Sequence, residues 1–244
     1  MIVQTAGAVI ADRGLVGTTM RDIAQAAAVS PGTVTYHFSG IDEILAEVLQ
    51  HEMDGFYLPV MERAKAESGA AGLHRLIDDV FAGDERTVRH WRLWLDFWGL
   101  AAHDQAHAAW QAKAYDLWRA DLRQIIERGL SAGELALPGA GWPRQTGTDQ
   151  ARPDPSGPEA GSGSHLVDRT AGQLEEVMAD LLALVDGLAA QAYLPVASIG
   201  PAEARRHLHG WVERHLATSI PGPGPGNAPA ARHPRKSPSR RRTT

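Results

Sequence analysis

Apolar residues recur along most of the chain at spacings of three and four, which is the period of an amphipathic helix. The alternation of apolar and polar residues that is typical of a half-buried strand is absent. The pattern therefore predicts an all-α fold, with two short helices between residues 18 and 38. Longer helices are predicted over residues 2–13, 41–65, 71–82, 84–102, 104–131, 172–194 and 201–218.

The stretch from residue 18 to 38, TTMRDIAQAAAVSPGTVTYHF, carries the signals of two short helices and a tight turn. Thr18 or Thr19 can cap the first helix, with Asp22 in its first turn, and Ser30 can cap the second. Helices shorter than ~12–15 residues are marginal in water, so each must pack against something. Two short helices joined at a steep angle are typical of a helix-turn-helix, in which the first helix braces the second.

The second short helix has a small, polar surface that suits insertion into the major groove of DNA. Gly32 and Thr33 are small and permit close approach of DNA near the start of the helix. Tyr36 and His37 carry longer polar side chains near its end. Val34 is predicted to point back into the core. The amides at the start of such a helix also suit phosphate oxygens.

The residues GLVGTTMRDIAQAAAVSPGTVTYHFSGIDEILAEVL resemble the DNA-binding domain of the TetR family of transcriptional regulators. The family pattern has glycine, paired threonines, Ile-Ala, a Val-Ser turn, Gly-Thr and Tyr-His-Phe before a long helix. This resemblance covers residues 2 to about 50. The second half, with WRLWLDFWGLAAHDQA and LLALVDGLAAQAYLP, resembles more loosely the C-terminal domain of the betaine-regulator-like branch.

The resemblance implies an N-terminal three-helix, helix-turn-helix domain and a C-terminal helical domain that binds a ligand and dimerises. The partners it implies are double-stranded operator DNA, a small-molecule effector and a second copy of the chain, with no membrane partner. Repression relieved by the effector is the family default. The other reading of the sequence is an all-helical small-molecule-binding protein or enzyme that has lost DNA binding.

The family's DNA contacts carry over residue by residue to the helix-turn-helix motif. Phosphate contacts position such a domain on DNA, and base contacts specify the sequence. The candidate DNA-binding residues are Thr18, Thr19, Met20, Ser30, Gly32, Thr33, Thr35, Tyr36 and His37.

The motif departs from the family pattern at three points. No basic arm precedes the first helix, Ile41 stands where a phosphate-binding lysine is usual, and Ala28 stands where glycine is usual. A positive φ at Ala28 would cost roughly 1 kcal/mol. Among residues 1–48 only Arg13 and Arg21 are cationic, against five acidic residues. This balance predicts weak nonspecific DNA binding with a shallow salt dependence.

Two explanations would reconcile that charge with DNA binding. The preferred one is a start upstream of Met1 that adds a basic arm; the other is that the basic C-terminal tail supplies the missing charge. Residues 221–244 contain six lysines and arginines and no acidic residue, whereas the whole chain carries 24 basic and 29 acidic residues. The tail is equally consistent with a solubilising role. Impaired DNA binding remains the third reading.

Tryptophans are concentrated in the predicted helices over 84–102 and 104–131. Such a group forms either an aromatic wall for an apolar or cationic ligand or an ordinary packed core, and core packing is the more common outcome. Asp96 and Asp186 are further candidates to face a cationic ligand, against structural roles in ion pairs. The candidate ligand-binding residues are Trp94, Trp98, Trp110 and Trp118.

Other function classes find little support in the sequence. The chain has no cysteine, which excludes disulfides and cysteine nucleophiles, and no nucleophile–base pair or phosphate-binding loop marks an enzyme. His103 and His107 have the i, i+4 spacing of metal ligands, but Asp104 offers only a poor third ligand, so neither a metal nor a cofactor is predicted. No signal peptide or membrane span is visible, and a cytoplasmic protein is expected.

The predicted domains are the helix-turn-helix domain at 1–48, the ligand-binding and dimerisation domain at 49–220, and a disordered basic tail at 221–244. Within the second domain, residues 138–171 are rich in glycine, proline and serine and are predicted to be a disordered insertion. The helices over 172–194 and 201–218 are the predicted dimer face, with simple burial within one chain as the alternative.

Overall fold

The computed structural model describes residues 1–138 and 162–216, and for residues 162–169 it describes the backbone alone. The regular elements within these ranges are all helical, which confirms the predicted fold class. The helices are α1 (Ile2–Arg13), α2 (Met20–Ala26), α3 (Pro31–His37), α4 (Ile41–Glu52), a π-helical segment (Met53–Tyr57), α5 (Leu58–Ala66), α6 (Gly69–Val80), α7 (Glu85–Ala101), α8 (Gln105–Ser131), α9 (Ser162–Tyr193) and α10 (Pro201–His215).

Helix α1 has the bounds that the sequence predicts, and α2 and α3 begin at predicted capping residues. Helix α1 stops at Gly14, which has a φ of 80°. Thr19 and Asp22 form a reciprocal capping box at the start of α2. Ser30 caps α3 by accepting the Thr33 N–H at 3.0 Å. The core that holds these helices together includes the fully buried side chains of Ile10, Ile23, Val34 and Ile44.

The turn between α2 and α3 contains Ala28 in the left-handed region, with a φ of 54°. The sequence predicts this strain, because the family pattern places glycine here. A left-handed conformation costs a residue with a Cβ about 1–2 kcal/mol. The turn is held by a bond from the Val29 N–H to the Ala24 carbonyl at 3.0 Å, which fixes the direction in which α3 leaves it.

The predicted helix over 41–65 is divided by the π-helical segment, after which α5 continues to Ala66. Pro59 lies in the first turn of α5, and the chain remains helical on both sides of it. A proline ring clashes with the carbonyl four residues earlier in a regular α-helix. For Pro59 that carbonyl belongs to Gly55, which lies in the wider π turn.

Helix α9 begins at Ser162, so the predicted start at residue 172 is wrong. Composition argued for a disordered insertion up to residue 171, but Leu166 and Val167 extend the apolar pattern of the helix toward its N-terminus. The rest of that segment, residues 139–161, lies outside the described residues. The basic tail and the end of the predicted helix over 201–218 also lie outside them.

The C-terminal core is built from the helices that follow α4. Helices α6 and α8 approach most closely where Gly69 meets Gly129, since a Cβ at Gly69 would fall on the Gly129 backbone. Phe81, Leu122 and Leu208 are fully buried in this core, so α6, α8 and α10 share it. Residues 135–137 return to α10 through the bond from the Ala136 N–H to the Leu216 carbonyl at 2.7 Å.

Helix α7 belongs to both cores. Its residues Leu93 and Phe97 are buried with the N-terminal helices, while Trp91 is buried with the C-terminal helices. Trp94 and Trp98 pack against both clusters. A helix that fills two cores cannot shift without disturbing each of them, because packed interiors have few voids to absorb movement.

Candidate functional site

Helix α3 presents its polar side chains to solvent. Tyr36 is 84% exposed, and its ring lies edge-on against His37 with centroids 5.1 Å apart. Gly32, Thr35 and His37 are also exposed, and Thr33 is half-buried. Within the described residues, no hydrogen bond occupies the Tyr36 hydroxyl. This surface is free to meet a partner, and Val34 beneath it is fully buried as predicted.

The hydroxyls near the start of α3 are linked to one another. The Ser30 and Thr33 hydroxyl oxygens lie 2.8 Å apart, and the Thr35 hydroxyl donates to the Pro31 carbonyl at 3.2 Å. These short local bonds fix the side chains without burying them. They leave the oxygen atoms available as acceptors.

The candidate DNA-binding residues near the start of α2 also have structural roles. Thr18 is 7% exposed, and its hydroxyl donates to the Gly14 carbonyl at 2.8 Å. Met20 packs against the N-terminal core. Thr19 is exposed, and its side chain belongs to the capping box with Asp22. The geometry therefore favours Thr19 over Thr18 and Met20 as a contact to a partner.

Acidic groups border the same surface. Glu43 in the first turn of α4 accepts the Ser39 N–H and the Ser39 hydroxyl, each at 2.7 Å. These hydrogen bonds lower the pKa of Glu43 below its ordinary value, so the carboxylate stays ionised. Glu43 is two residues beyond Ile41, where the resemblance places a phosphate-binding lysine. Its charge opposes a polyanionic partner.

If α3 binds DNA as its exposed surface predicts, replacing Glu43 with glutamine should tighten that binding about three- to tenfold at low salt, because one repulsion with phosphate is removed. Glutamine can still accept a bond from Ser39, so the fold should be retained. Fluorescence anisotropy across a salt series measures the effect. The matched control is Glu62→Gln, which removes an equal charge from an exposed position on α5. Equal tightening by the two variants would show that only net charge matters.

An aromatic cavity, called here the inner cavity, lies between the π-helical segment, α7, α8 and α9. Its empty volume is about 440 Å³ including the mouth. Half of its ten lining residues are tryptophan or tyrosine, and the others include one carboxyl group and one imidazole. The lining residues are Met53, His90, Trp91, Trp94, Trp98, Ala114, Tyr115, Trp118, Leu182 and Asp186.

Three of the four candidate ligand-binding tryptophans, Trp94, Trp98 and Trp118, line the inner cavity. Trp110 does not line it. Its ring packs edge-on against Phe97, with centroids 5.2 Å apart. Spacing along a helix cannot separate these cases, because Trp110 and Trp118 lie about 80° apart around α8 and both face inward.

Asp186 is the carboxyl group of the inner cavity, and its place there fits one of the two alternatives for this residue. The Tyr115 hydroxyl donates to it at 2.6 Å. Burial raises the pKa of Asp186 to about 6, so it is mostly ionised at neutral pH. Asp96 has a structural role instead, since it accepts the Leu15 N–H at 2.9 Å. That bond ties α7 to the loop that leads into α2.

The buried indole N–H of Trp98 has no hydrogen-bond acceptor within the described residues. Buried donors are nearly always paired, because leaving one unpaired costs about 1–3 kcal/mol. This donor belongs to a side chain that lines the inner cavity. A ligand with an acceptor group could satisfy it.

His90 connects the inner cavity to the end of α4, and the sequence alone gave no signal for this. Its ring stacks on Phe56 with centroids 3.8 Å apart, and its Nδ1 lies 3.3 Å from a carboxylate oxygen of Glu52. Burial lowers the pKa of His90 below its ordinary value. Glu52 is the last residue of α4, so a cavity residue touches the helix that leads back to α3.

The structure also brings His74 against His209, a contact that the sequence does not predict. Their Nδ1 atoms lie 2.5 Å apart, and the His209 Nε2 lies 2.9 Å from Asp78. They join α6 to α10. His107, a candidate metal ligand by spacing, instead has its Nδ1 2.6 Å from Asp104. The described residues contain no group of three or more side chains arranged to hold a metal ion.

None of the helices in the described ranges has the length and apolar character needed to cross a membrane.

Two family models match the chain. Residues 2–48 match the model described as "Bacterial regulatory proteins, tetR family". Residues 69–140 match the model described as "BetI-type transcriptional repressor, C-terminal". The first match spans α1 to α4 up to residue 48, and the second begins at Gly69 in α6.

The regulator BetI of Burkholderia mallei is 29% identical over 97 residues, which is 39% of this chain and 50% of BetI. The repressor KstR2 of Mycolicibacterium smegmatis is 36% identical over 66 residues, covering 26% of this chain and 32% of KstR2. The chain thus spans about half the length of BetI and a third of KstR2.

Two solved structures show the same fold. A transcriptional regulator of Saccharomonospora viridis, solved in complex with choline, has a TM-score of 0.70 at 22% identity, covering 89% of this chain and 96% of that one. A TetR-family regulator of Rhodococcus has a TM-score of 0.63 at 20% identity, covering 88% and 96%.

Proposed function

Since this chain belongs to the TetR family of bacterial regulatory proteins, we propose that it is a ligand-responsive transcriptional repressor. It acts in the cytoplasm, binds operator DNA as a homodimer, and leaves the DNA when a small-molecule effector occupies the inner cavity. The role is regulation rather than catalysis. The observation that carries the proposal is that α7 forms a wall of the inner cavity and part of the core beneath α3.

The DNA step follows from the exposed polar surface of α3. Its N-terminal residues would meet base edges, and Thr19, Tyr36 and His37 would contact phosphates on either side. In a two-fold dimer the two copies of α3 would enter successive major grooves about 34–36 Å apart. The acidic groups near this surface make binding weak and sequence-dependent rather than broad.

The effector step requires that a ligand prefer one conformation over another, since equal affinity for both would shift nothing. A ligand in the inner cavity would bind one position of α7 more tightly than another, because α7 forms part of the cavity wall. Movement of Trp94 or Trp98 would displace Leu93 and Phe97, which belong to the N-terminal core that also contains Val34 of α3. The Leu15 N–H donates to Asp96, and His90 contacts Glu52, so the same helix is linked to the loop between α1 and α2 and to α4.

The effector is a quaternary ammonium compound. Aromatic faces attract a cation that has no N–H to donate, and a buried carboxylate opposite them balances its charge. The inner cavity combines four indoles and the Tyr115 ring with Asp186. A hydroxyl on the ligand would also give the Trp98 N–H an acceptor. The Saccharomonospora viridis regulator, solved with choline, supports this choice.

The dimer face is formed by α9 and α10. Small residues are exposed along α9 at Ala179, Ala183 and Gly187, spaced four apart on one side of the helix. A Cβ added to Gly187 would meet nothing within 4 Å. Close approach of a second α9 is therefore sterically open, and four helices from two subunits would make the interface.

Binding of the full chain to DNA flanking its own gene, followed by anisotropy against salt, tests the DNA step. Tyr36→Ala is expected to weaken binding about tenfold, since it removes a phosphate contact without touching the core. Tyr36→Phe separates the hydroxyl from the ring. Because tyrosine carries no charge, the slope of affinity against salt should stay unchanged. Choline should release the wild-type complex.

Absence of binding to that DNA at low salt, together with failure of a chain extended by its upstream codons, would overturn the repressor proposal. The remaining candidate would then be an all-helical ligand-binding protein without a DNA partner. Its single supporting observation is the excess of acidic over basic residues in 1–48.

A further inference from the structure

A second cavity, called here the outer cavity, adjoins the inner cavity. Its empty volume is about 560 Å³ including the open side. The two cavities share Met53 and Ala114 as wall residues. The rest of the outer wall is largely apolar, with Leu58, Trp110 and Leu117 among its lining residues.

Helix α8 sorts its side chains between the two cavities. With about 100° of rotation per residue, Trp110, Lys113 and Leu117 fall within about 60° of one another, and all three line the outer cavity. Tyr115 and Trp118 lie on the other side of Ala114 and line the inner cavity. Ala114 therefore stands at the boundary, with the smallest side chain among these residues.

Met53 forms the opposite side of the boundary. It is 8% exposed and is the first residue of the π-helical segment. Methionine is unbranched and flexible, and it adapts to irregular spaces more easily than other apolar residues. A boundary made of alanine and methionine is therefore thin on one side and deformable on the other.

The outer cavity exposes unusual apolar surface for a site facing solvent. Leu58 is 41% exposed and Leu117 is 40% exposed. The charged side chains among its lining residues are Asp54 and Lys113, one of each sign, so the wall has no net preference for a charged ligand group. Such a surface suits a neutral, apolar part of a ligand.

We infer that the effector is a quaternary ammonium compound with an apolar tail, and that the tail passes between Met53 and Ala114 into the outer cavity. The cationic head occupies the inner cavity near Asp186, and the tail covers Leu58 and Leu117. This inference rests on the proposed effector site, which fixes where the head binds. It makes tail length the property by which the site selects among quaternary ammonium compounds.

The test measures binding of tetramethylammonium and of its butyl, hexyl and octyl trimethyl analogues to the full chain, by calorimetry or tryptophan fluorescence. Each methylene that enters the outer cavity should tighten binding about three- to fourfold, until the space is filled. A short and a long compound therefore differ by far more than experimental error.

Two variants locate the tail. Leu117→Gln should weaken hexyltrimethylammonium binding about three- to tenfold, since it replaces apolar wall with an amide, and should leave tetramethylammonium unchanged. Leu58→Gln repeats the test from the opposite wall. The matched control is Ala112→Gln, an exposed position on α8 that lines neither cavity.

Equal affinity for tetramethylammonium and hexyltrimethylammonium would overturn the inference while leaving the proposed effector class in place. A gain with tail length that both glutamine variants leave intact would also overturn it, because the tail would then lie elsewhere. If none of these compounds binds, the quaternary ammonium effector and the tail site fail together.

Discussion

Gly69→Ala is expected to lower the free energy of unfolding by about 3 kcal/mol, at the upper end of what overpacking costs. A Cβ at this position would overlap the backbone nitrogen and Cα of Gly129. The obstacle is main chain rather than the end of a flexible side chain, so α6 and α8 would have to separate. For a protein of this size, thermal denaturation should show a melting temperature about 6–12 °C lower.

The matched control is Gly99→Ala, which makes the same change within α7. A Cβ at Gly99 would meet nothing within 4 Å, and alanine is favoured over glycine inside a helix by about 0.5–1 kcal/mol. Gly99→Ala should therefore raise the melting temperature slightly. Similar effects of the two substitutions would contradict the close approach of α6 and α8.

Asp186→Asn is expected to weaken binding of a quaternary ammonium ligand about 10- to 100-fold, because it removes the anionic group of the inner cavity. Asparagine is nearly isosteric and still accepts the bond from the Tyr115 hydroxyl, so the shape of the cavity should be preserved. Titration of tetramethylammonium, followed by tryptophan fluorescence, measures the change. The matched control is Asp180→Asn, six residues earlier on α9, where the carboxylate is exposed.

The same carboxyl group should make binding depend on pH. Burial raises the pKa of Asp186 to about 6, so its charge is lost as the pH falls through that value. Tetramethylammonium cannot itself titrate, and its affinity should therefore fall between pH 7 and pH 5. The bound cation favours the ionised carboxylate, so the midpoint should be lower in the complex.

Two other titratable groups face the inner cavity. Burial raises the pKa of Tyr115 above its ordinary value, so its hydroxyl stays neutral between pH 5 and pH 7. Burial lowers the pKa of His90 below its ordinary value, and protonation of His90 as the pH falls would also repel the cation. The fall attributed to Asp186 should therefore disappear in Asp186→Asn. An unchanged pH profile in that variant would assign the effect to another group.

The pH dependence of the free energy of unfolding has the opposite sign from the pH dependence of ligand affinity. A carboxyl group whose pKa is raised on folding stabilises the protein most below its unfolded pKa. That contribution is lost as the pH rises through the folded value of about 6. The free energy of unfolding contributed by Asp186 and the affinity for the cation should therefore change in opposite directions between pH 5 and pH 7.

Local signals explain why the N-terminal helices could be predicted closely. Thr19, Asp22, Ser30 and Pro31 are caps and helix starts whose effect depends on a few neighbouring residues. The positive φ of Ala28 was anticipated through the family resemblance, which places glycine at this point of the turn. Fold class and helix order followed from apolar spacing alone.

The inner cavity was less predictable, because it depends on which faces of distant helices meet. Tryptophan spacing selected Trp94, Trp98 and Trp118, which line the inner cavity, together with Trp110, which lines the outer cavity instead. His90 has no sequence signal, since its role arises from contacts with Phe56 and Glu52 nearly forty residues earlier in the chain. The π-helical segment has a local cause in Pro59, whose ring would clash with the Gly55 carbonyl in a regular α-helix, but the apolar spacing did not reveal it.

Because α7 contributes residues to both hydrophobic cores, a single substitution in it affects two properties of the protein. A substitution at Trp94 or Trp98 alters the proposed effector site and, in the same step, the packing of the N-terminal core that carries α3. Genetic selection for a new effector will therefore recover variants with altered abundance or DNA affinity as well. Leu182 and Asp186 on α9 line the same cavity. Substitutions there leave the packing of the N-terminal core unchanged, because none of the described α9 side chains belongs to it. New ligand preferences should be easier to obtain from α9 than from α7.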